Sequence, residues 1–206
     1  MKWLSIILCA GLILFAVSCG SDDPVKPPVV CTSCPPALQD LTHKTDVLNN
    51  IEYAYNKRRG DVYDALLDDV FTFFYTEGDV GGGGTPVQWG RDVESSATAG
   101  LLGDASKIDL NIDWEDGVTW SEQAAGTEMW YYTTVFYNYT IKIGDTTYIP
   151  NAGSKAQFTV RNTGTAEMPH WKLIEFRDLG APSLVSAPQR ASTQATSWGM
   201  IKAMYQ

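Results

Sequence analysis

Thr127-Glu128-Met129-Trp130-Tyr131-Tyr132-Thr133-Thr134-Val135-Phe136-Tyr137-Asn138-Tyr139-Thr140-Ile141-Lys142-Ile143 is the stretch that decides the fold. Side chains alternate from face to face along a strand, and aromatic and β-branched residues fit a pleated surface best. Met129, Tyr131, Val135, Tyr137 and Tyr139 fall on one face, with Trp130, Tyr132 and Phe136 on the other. The pattern predicts one long strand with two apolar faces, covered on both sides. An apolar patch of that size left open on a monomer would be unusual, so a homodimer through the sheet is expected.

Shorter strands flank it. Upstream, Ile108, Leu110, Ile112 and Trp114 alternate with Asp109, Asn111 and Asp113, the pattern of a strand with one wet face. Downstream, Gly144-Asp145 and residues 150–153 read as turns. Ala156, Phe158 and Val160 alternate with Gln157, Thr159 and Arg161, and a last strand is expected over 170–178.

Helices come first in the chain. From Thr45 as N-cap, Val47, Leu48, Ile51, Ala54 and Tyr55 recur at helical spacing, and Gly60 is the expected stop. Asp61 can cap a shorter helix through Leu67, before an aromatic strand over 70–75. A third helix is expected over 89–102, with Trp89, Val93, Ala97 and Leu101 on one side and Glu94 elsewhere. Two or three helices followed by antiparallel strands give an α+β order.

The start of the chain carries an address. Lys2, an apolar run over 4–17 and Ala16-Val17-Ser18 before Cys19 form a signal peptide over 1–18, too short to span a bilayer. Ala-Val-Ser-Cys resembles the lipobox of bacterial lipoproteins, which implies acylation of Cys19 and cleavage before it. Two acyl chains give stable anchoring. Gly20 rather than Asp after the cysteine implies the outer membrane of the bacterial envelope. Residues 19–41, rich in Pro, Ser and Asp, read as a tether. Of the four cysteines, only Cys31 and Cys34 then remain, a C-x-x-C pair between prolines expected to close a small disulfide loop in an oxidising compartment.

The net charge of −9 moves to −10 once Lys2 leaves with the signal, which argues against nucleic acid as a partner. Asp109, Asn111 and Asp113 match the opening of a calcium loop, but Trp114 and Trp120 stand where that loop needs Gly and Glu. The glycines at 81–84 have no Gly-Lys-Ser/Thr after them and read as a loop rather than a phosphate cradle. Two histidines, His43 and His170, cannot make a His-rich zinc site, and no nucleophile elbow appears. No metal and no cofactor is expected.

Over residues 45–180 the chain resembles the NTF2-like superfamily, which includes SnoaL-type cyclases, ketosteroid isomerases and scytalone dehydratase. The carriers are the opening helix Val47-Leu48-Asn49-Asn50-Ile51-Glu52-Tyr53-Ala54-Tyr55, the turn Leu66-Leu67-Asp68-Asp69-Val70-Phe71, and the late strands over 156–161 and 171–178. The resemblance implies a curved antiparallel sheet wrapped round the first helix over 42–180, a pocket at the wide end of the cone, and dimers through the sheet. It places the isomerases' catalytic carboxylate within Phe73-Phe74-Tyr75, where this chain has no acid.

Candidate pocket residues are therefore aromatic: Tyr55, Phe73, Tyr75, Trp89, Tyr131 and Trp171, with Glu94, Asp113 and His170 as polar members. Such rings either fill a core or line a cavity for a small apolar ligand. Two functions are open, a non-catalytic domain binding that ligand or an envelope partner, and an acid-base lyase or isomerase. Beyond the domain, residues 181–194 read as an irregular connector. A short helix capped by Thr196 or Ser197 follows, with Trp198, Ile201 and Met204 or Tyr205 on one side. Too short to stand alone, it must dock, and the expected target is the domain itself, for instance the outer surface of the sheet, with a mobile lid or a partner-binding helix as the alternative.

Overall fold

Helix α1 (Lys44–Asn56) forms because Val47, Leu48, Ile51, Ala54 and Tyr55 make one stripe, and all five are wholly buried. Its N-cap lies two residues before Thr45. His43 is the N-cap, and its backbone N–H donates to the Asp46 carboxylate at 2.7 Å. It also stops before Gly60, because Arg58 takes the left-handed turn at φ 52° and its guanidinium donates to the Ala105 carbonyl at 3.0 Å. Gly60 instead opens α2 (Gly60–Leu66), whose N-cap is Arg59 rather than Asp61.

The computed structural model describes residues 38–77, 84–113, 118–180 and 193–206, all within one compact unit, Pro35–Gln206. Cys19, Cys31, Cys34, the glycines 81–83, Trp114 and residues 181–192 lie outside the described residues.

After α2 come β1 (Leu67–Glu77), β2 (Thr85–Gly90), α3 (Arg91–Asp104), β3 (Ala105–Asp113), β4 (Ser121–Ala125), β5 (Glu128–Ile143), β6 (Thr146–Pro150), β7 (Lys155–Asn162), β8 (Trp171–Gly180), β9 (Thr193–Thr196) and α4 (Trp198–Ala203). The strands form one sheet in the order β2-β1-β8-β7-β5-β6-β9, with β3 and β4 also paired to β5. Most pairs are antiparallel, but β1 runs parallel to β8 and β6 parallel to β9.

β5 is the spine. One of its edges carries β4 against residues 128–132 and β3 against 136–143, and the other carries β7 against 130–136 and β6 against 141–143. α1 packs on both β3 and β8, so the sheet must curve round it. The Asn56 amide fixes that seating, accepting from Leu110 N–H at 2.7 Å and donating to the Leu110 carbonyl at 2.8 Å. The path ends in β2 and β9, so the sheet is not closed. Few helices against a large, curved, unclosed sheet make an α+β fold.

Three expectations change. Trp89 is not helical but lies in β2 opposite Phe73, because Gly90 stays extended and serves as N-cap of α3. The helix face turns accordingly, burying Glu94, Ala97, Thr98, Leu101 and Leu102 and leaving Val93 exposed. β5 buries Val135, Tyr137 and Tyr139 on its inner face, but Phe136 on the other is 48% exposed, so that face is open in the single chain. Finally the domain does not end at 180. Gln194 belongs to β9, and α4 enters the interior of the cone rather than docking on the outer surface of the sheet.

Candidate functional site

Five elements bring their side chains to one point inside the cone. α1 supplies Tyr55, α2 supplies Tyr63, β1 supplies Phe73, α3 supplies Glu94 and Thr98, and β8 supplies Phe176. α4 fills the space between them. Ser197 caps it, its Oγ accepting from Met200 N–H at 3.3 Å, and Trp198 enters the aromatic cluster with 1% of its surface exposed. The Trp198 ring meets Tyr55 and Phe176 edge-on at 4.9 Å, and its Nε1–H donates to the Tyr55 hydroxyl at 3.1 Å.

Glu94 is wholly buried and fully engaged. Trp89 Nε1–H donates to Oε2 at 2.8 Å, Thr98 Oγ1 donates to Oε1 at 3.3 Å, and the Tyr63 hydroxyl and the Lys202 ammonium both donate to Oε1. Lys202 lies one turn after Trp198 and is itself wholly buried. Its Nζ also reaches the Tyr63 oxygen at 3.3 Å. Burial, the largest single influence, lowers the pKa of this ammonium, but the charges and hydrogen bonds of Glu94 and Tyr55 together outweigh it and raise the pKa above its ordinary value. The Tyr63 phenol is pushed well above its usual range, first by burial and then by Glu94.

A second buried acid anchors the start of α4. Asp178 accepts from Tyr137 hydroxyl at 2.8 Å, Gly180 N–H at 3.1 Å and Gly199 N–H at 2.7 Å. Burial and Asp178 together push Tyr137 and Tyr139 well above the ordinary phenol value. Gly199 is required here by space, since a methyl group would stand inside contact distance of Tyr75 Cβ and Cγ.

Of the residues singled out from sequence, Tyr55, Phe73, Tyr75, Trp89 and Glu94 therefore belong to one cluster, with Phe73 and Trp89 stacked at 4.6 Å. Tyr131 and Trp171 form a different group, edge-on at 5.4 Å, with Lys44 Nζ 3.8 Å from the Tyr131 centroid. His170 is exposed, and so is Asp113 with Asp109 and Asn111 on the wet face of β3. Tyr63, Thr98, Asp178 and Lys202 were missed. Lys202 shares a helix face with Trp198 by its i+4 spacing, but a lone charged residue there reads as solvated until its partner is known.

A groove on the outside, lined by Asp69, Gly90, Arg91, Asp92 and Val93, is separate from this interior. Arg91 there is paired with Asp69 at 2.6 Å and Asp64 at 3.2 Å. Among the described residues no group of His, Cys, Asp and Glu could hold a metal ion, and no helix is long and apolar enough to cross a membrane.

No family model and no curated protein matches the sequence. Several solved structures do resemble the chain. One is an NTF2-like superfamily protein from Salmonella enterica serovar Typhimurium, 12% identical over 71% of this chain and 94% of that one, with a TM-score of 0.47. Another is an NTF2-like protein of unknown function in nutrient uptake from Rhodospirillum rubrum, 14% identical over 64% and 92%, with a TM-score of 0.44. A third is a suggested scytalone dehydratase from Novosphingobium aromaticivorans, 12% identical over 71% and 87%, with a TM-score of 0.45. At these identities and TM-scores the likeness carries no argument about function, which has to come from the site.

Proposed function

We propose that this chain is a lipid-anchored protein of the bacterial envelope, probed outward on a tether, whose NTF2-like domain binds a small ligand within its cone and does not transform it. One observation supports binding over catalysis. Both acids of this interior are engaged among the described residues, Glu94 by four donors and Asp178 by three, so neither is left free to act as a general acid or base on a substrate atom. A lyase or isomerase would need such an acid or base within about 3 Å of its substrate. The lipid anchor rests on the sequence around Cys19.

Mass spectrometry of the mature protein, purified from its membrane, tests both halves. The expected result is an acylated N-terminal Cys19 and a retained small molecule released unchanged on denaturation. A Cys19→Ala variant processed normally would overturn the anchor. Turnover of added hydroxylated or ketosteroid-like substrates, lost in Glu94→Gln, would overturn the non-catalytic reading.

A further inference from the structure

The ammonium of Lys202 sits in surroundings that suit a cation better than they suit a lysine. Its Nζ lies 4.4 Å from the Phe73 ring centroid, 4.6 Å from Phe176, 5.3 Å from Tyr63 and Trp198 and 5.8 Å from Tyr55, with the Glu94 carboxylate on the remaining side. Rings that close round an ammonium, together with one carboxylate, are the chemistry by which proteins recognise alkylammonium ligands. Apart from Trp198, the cage stands on α1, α2, α3, β1 and β8, so it belongs to the cone and not to the helix that fills it.

Stability does not explain the arrangement. Taking an ammonium and a carboxylate out of water costs more than a well-packed apolar pair would, and the cation is delivered by a helix of six residues. Such a helix has no stability of its own in water and holds its place by its buried side chains and by the bond from Gly199 N–H to Asp178. Trp198, Gly199, Ile201 and Lys202 are its buried residues.

We infer that the interior of the cone is a binding cage for a small primary alkylammonium ion, and that Lys202 fills it as an intramolecular stand-in for that ligand. The inference rests on the binding reading above and names its ligand class. The length expected is that of the lysine side chain, about four methylenes ending in an ammonium. An external ligand must displace Lys202 from Glu94 and the rings, so the apparent affinity of the native protein is the intrinsic one multiplied by the small fraction of molecules in which the cage is open.

The test uses the full chain and n-propylammonium, which replaces the atoms that Lys202→Ala removes, with 1-propanol as the uncharged match. Lys202→Ala should bind one propylammonium, with a rise in melting temperature of several degrees, and should prefer it to 1-propanol by at least tenfold. Lys202→Ala/Glu94→Gln should lose that preference. The native chain should bind the amine saturably, at least tenfold more weakly, with a red shift of tryptophan emission as Trp198 leaves its site. Should Lys202→Ala be unfolded by itself, the same comparison is read as refolding yield in amine against alcohol.

Equal binding of amine and alcohol would overturn the cation cage and leave the binding module standing. Failure of both to bind Lys202→Ala would overturn it as well. A native chain that never responds would mark Lys202 as a fixed structural cation, and one that responds as strongly as the variant would place the amine elsewhere. Either result ends the inference.

Discussion

Lys202 donates to Glu94 from a position 108 residues further along the chain, and neither side chain has any surface in contact with water. The pair ties the last helix to α3 through the centre of the domain. Breaking a buried pair by removing one partner leaves an uncompensated charge and costs roughly 3–5 kcal/mol, whereas removing both charges can be close to neutral. Lys202→Met and Glu94→Gln should therefore each destabilise strongly, and the double variant should recover much of the loss. We expect a coupling energy of about 2 kcal/mol or more from denaturant unfolding of the four proteins. Additive losses would show that the two groups act independently.

Trp198 is the largest fully buried side chain, meeting Tyr55, Tyr137, Tyr139 and Phe176. Truncation to Ala should cost about 3–5 kcal/mol, the usual range for a large core aromatic. Gly199→Ala should also destabilise, because the new methyl group meets the Tyr75 ring base rather than a flexible chain end. Deleting residues 198–206 should lower the melting temperature and raise ANS binding. An unchanged melting temperature would mean that α4 contributes nothing to the folded domain.

The buried phenols set an alkaline limit. Tyr55, Tyr63, Tyr137 and Tyr139 all have pKa values raised by burial, and Tyr205 is pushed up to about 12 by burial and by Asp104. Below the unfolded value near 10 both states keep the phenolic proton and stability is unaffected. Above it the unfolded chain releases protons that the folded chain retains, so stability falls as pH rises. The absorbance of phenolate near 295 nm should therefore grow in step with loss of near-ultraviolet dichroism for these residues. Ionisation of Tyr63 well before unfolding would contradict its placement.

The architecture could be read from the sequence because the helix stripe of α1 and the alternation in β5, β7 and β8 are strong and local. Trp89 was misread because its side chain fits either a helix face or a strand, and only pairing with Phe73 across β1 decides it. A helix started two residues early also presents Val93 to the core, where the structure buries Glu94, Ala97 and Leu101 and leaves Val93 exposed. The site itself was half legible. Five of the chosen aromatic and acidic residues converge, but charged residues are almost never fully buried unless paired, so Lys202 reads as a solvated side chain until Glu94 is seen opposite it.

The open face of the sheet carries the last prediction. Tyr132, Thr134 and Phe136 point outward from β5, level with Thr159, Gln157 and Lys155 on β7, and Arg177 on β8 covers Phe74 on β1 at 4.1 Å. Lys155 Nζ lies 4.6 Å from the Phe136 centroid and leaves that ring 48% exposed. Half-exposed rings among hydrogen-bonding side chains, spread over four central strands, resemble the composition of an association surface, where aromatics and Arg are enriched. We propose that two copies pair through this face, which needs about 800 Å² from each. Sedimentation of the soluble domain at micromolar concentration should give a dimer, and Phe136→Glu should weaken it at least tenfold, with the melting temperature of the isolated domain little changed because the ring is not part of the core. A clean monomer at those concentrations would remove the dimer, and a dimer indifferent to Phe136→Glu would move the contact to another surface.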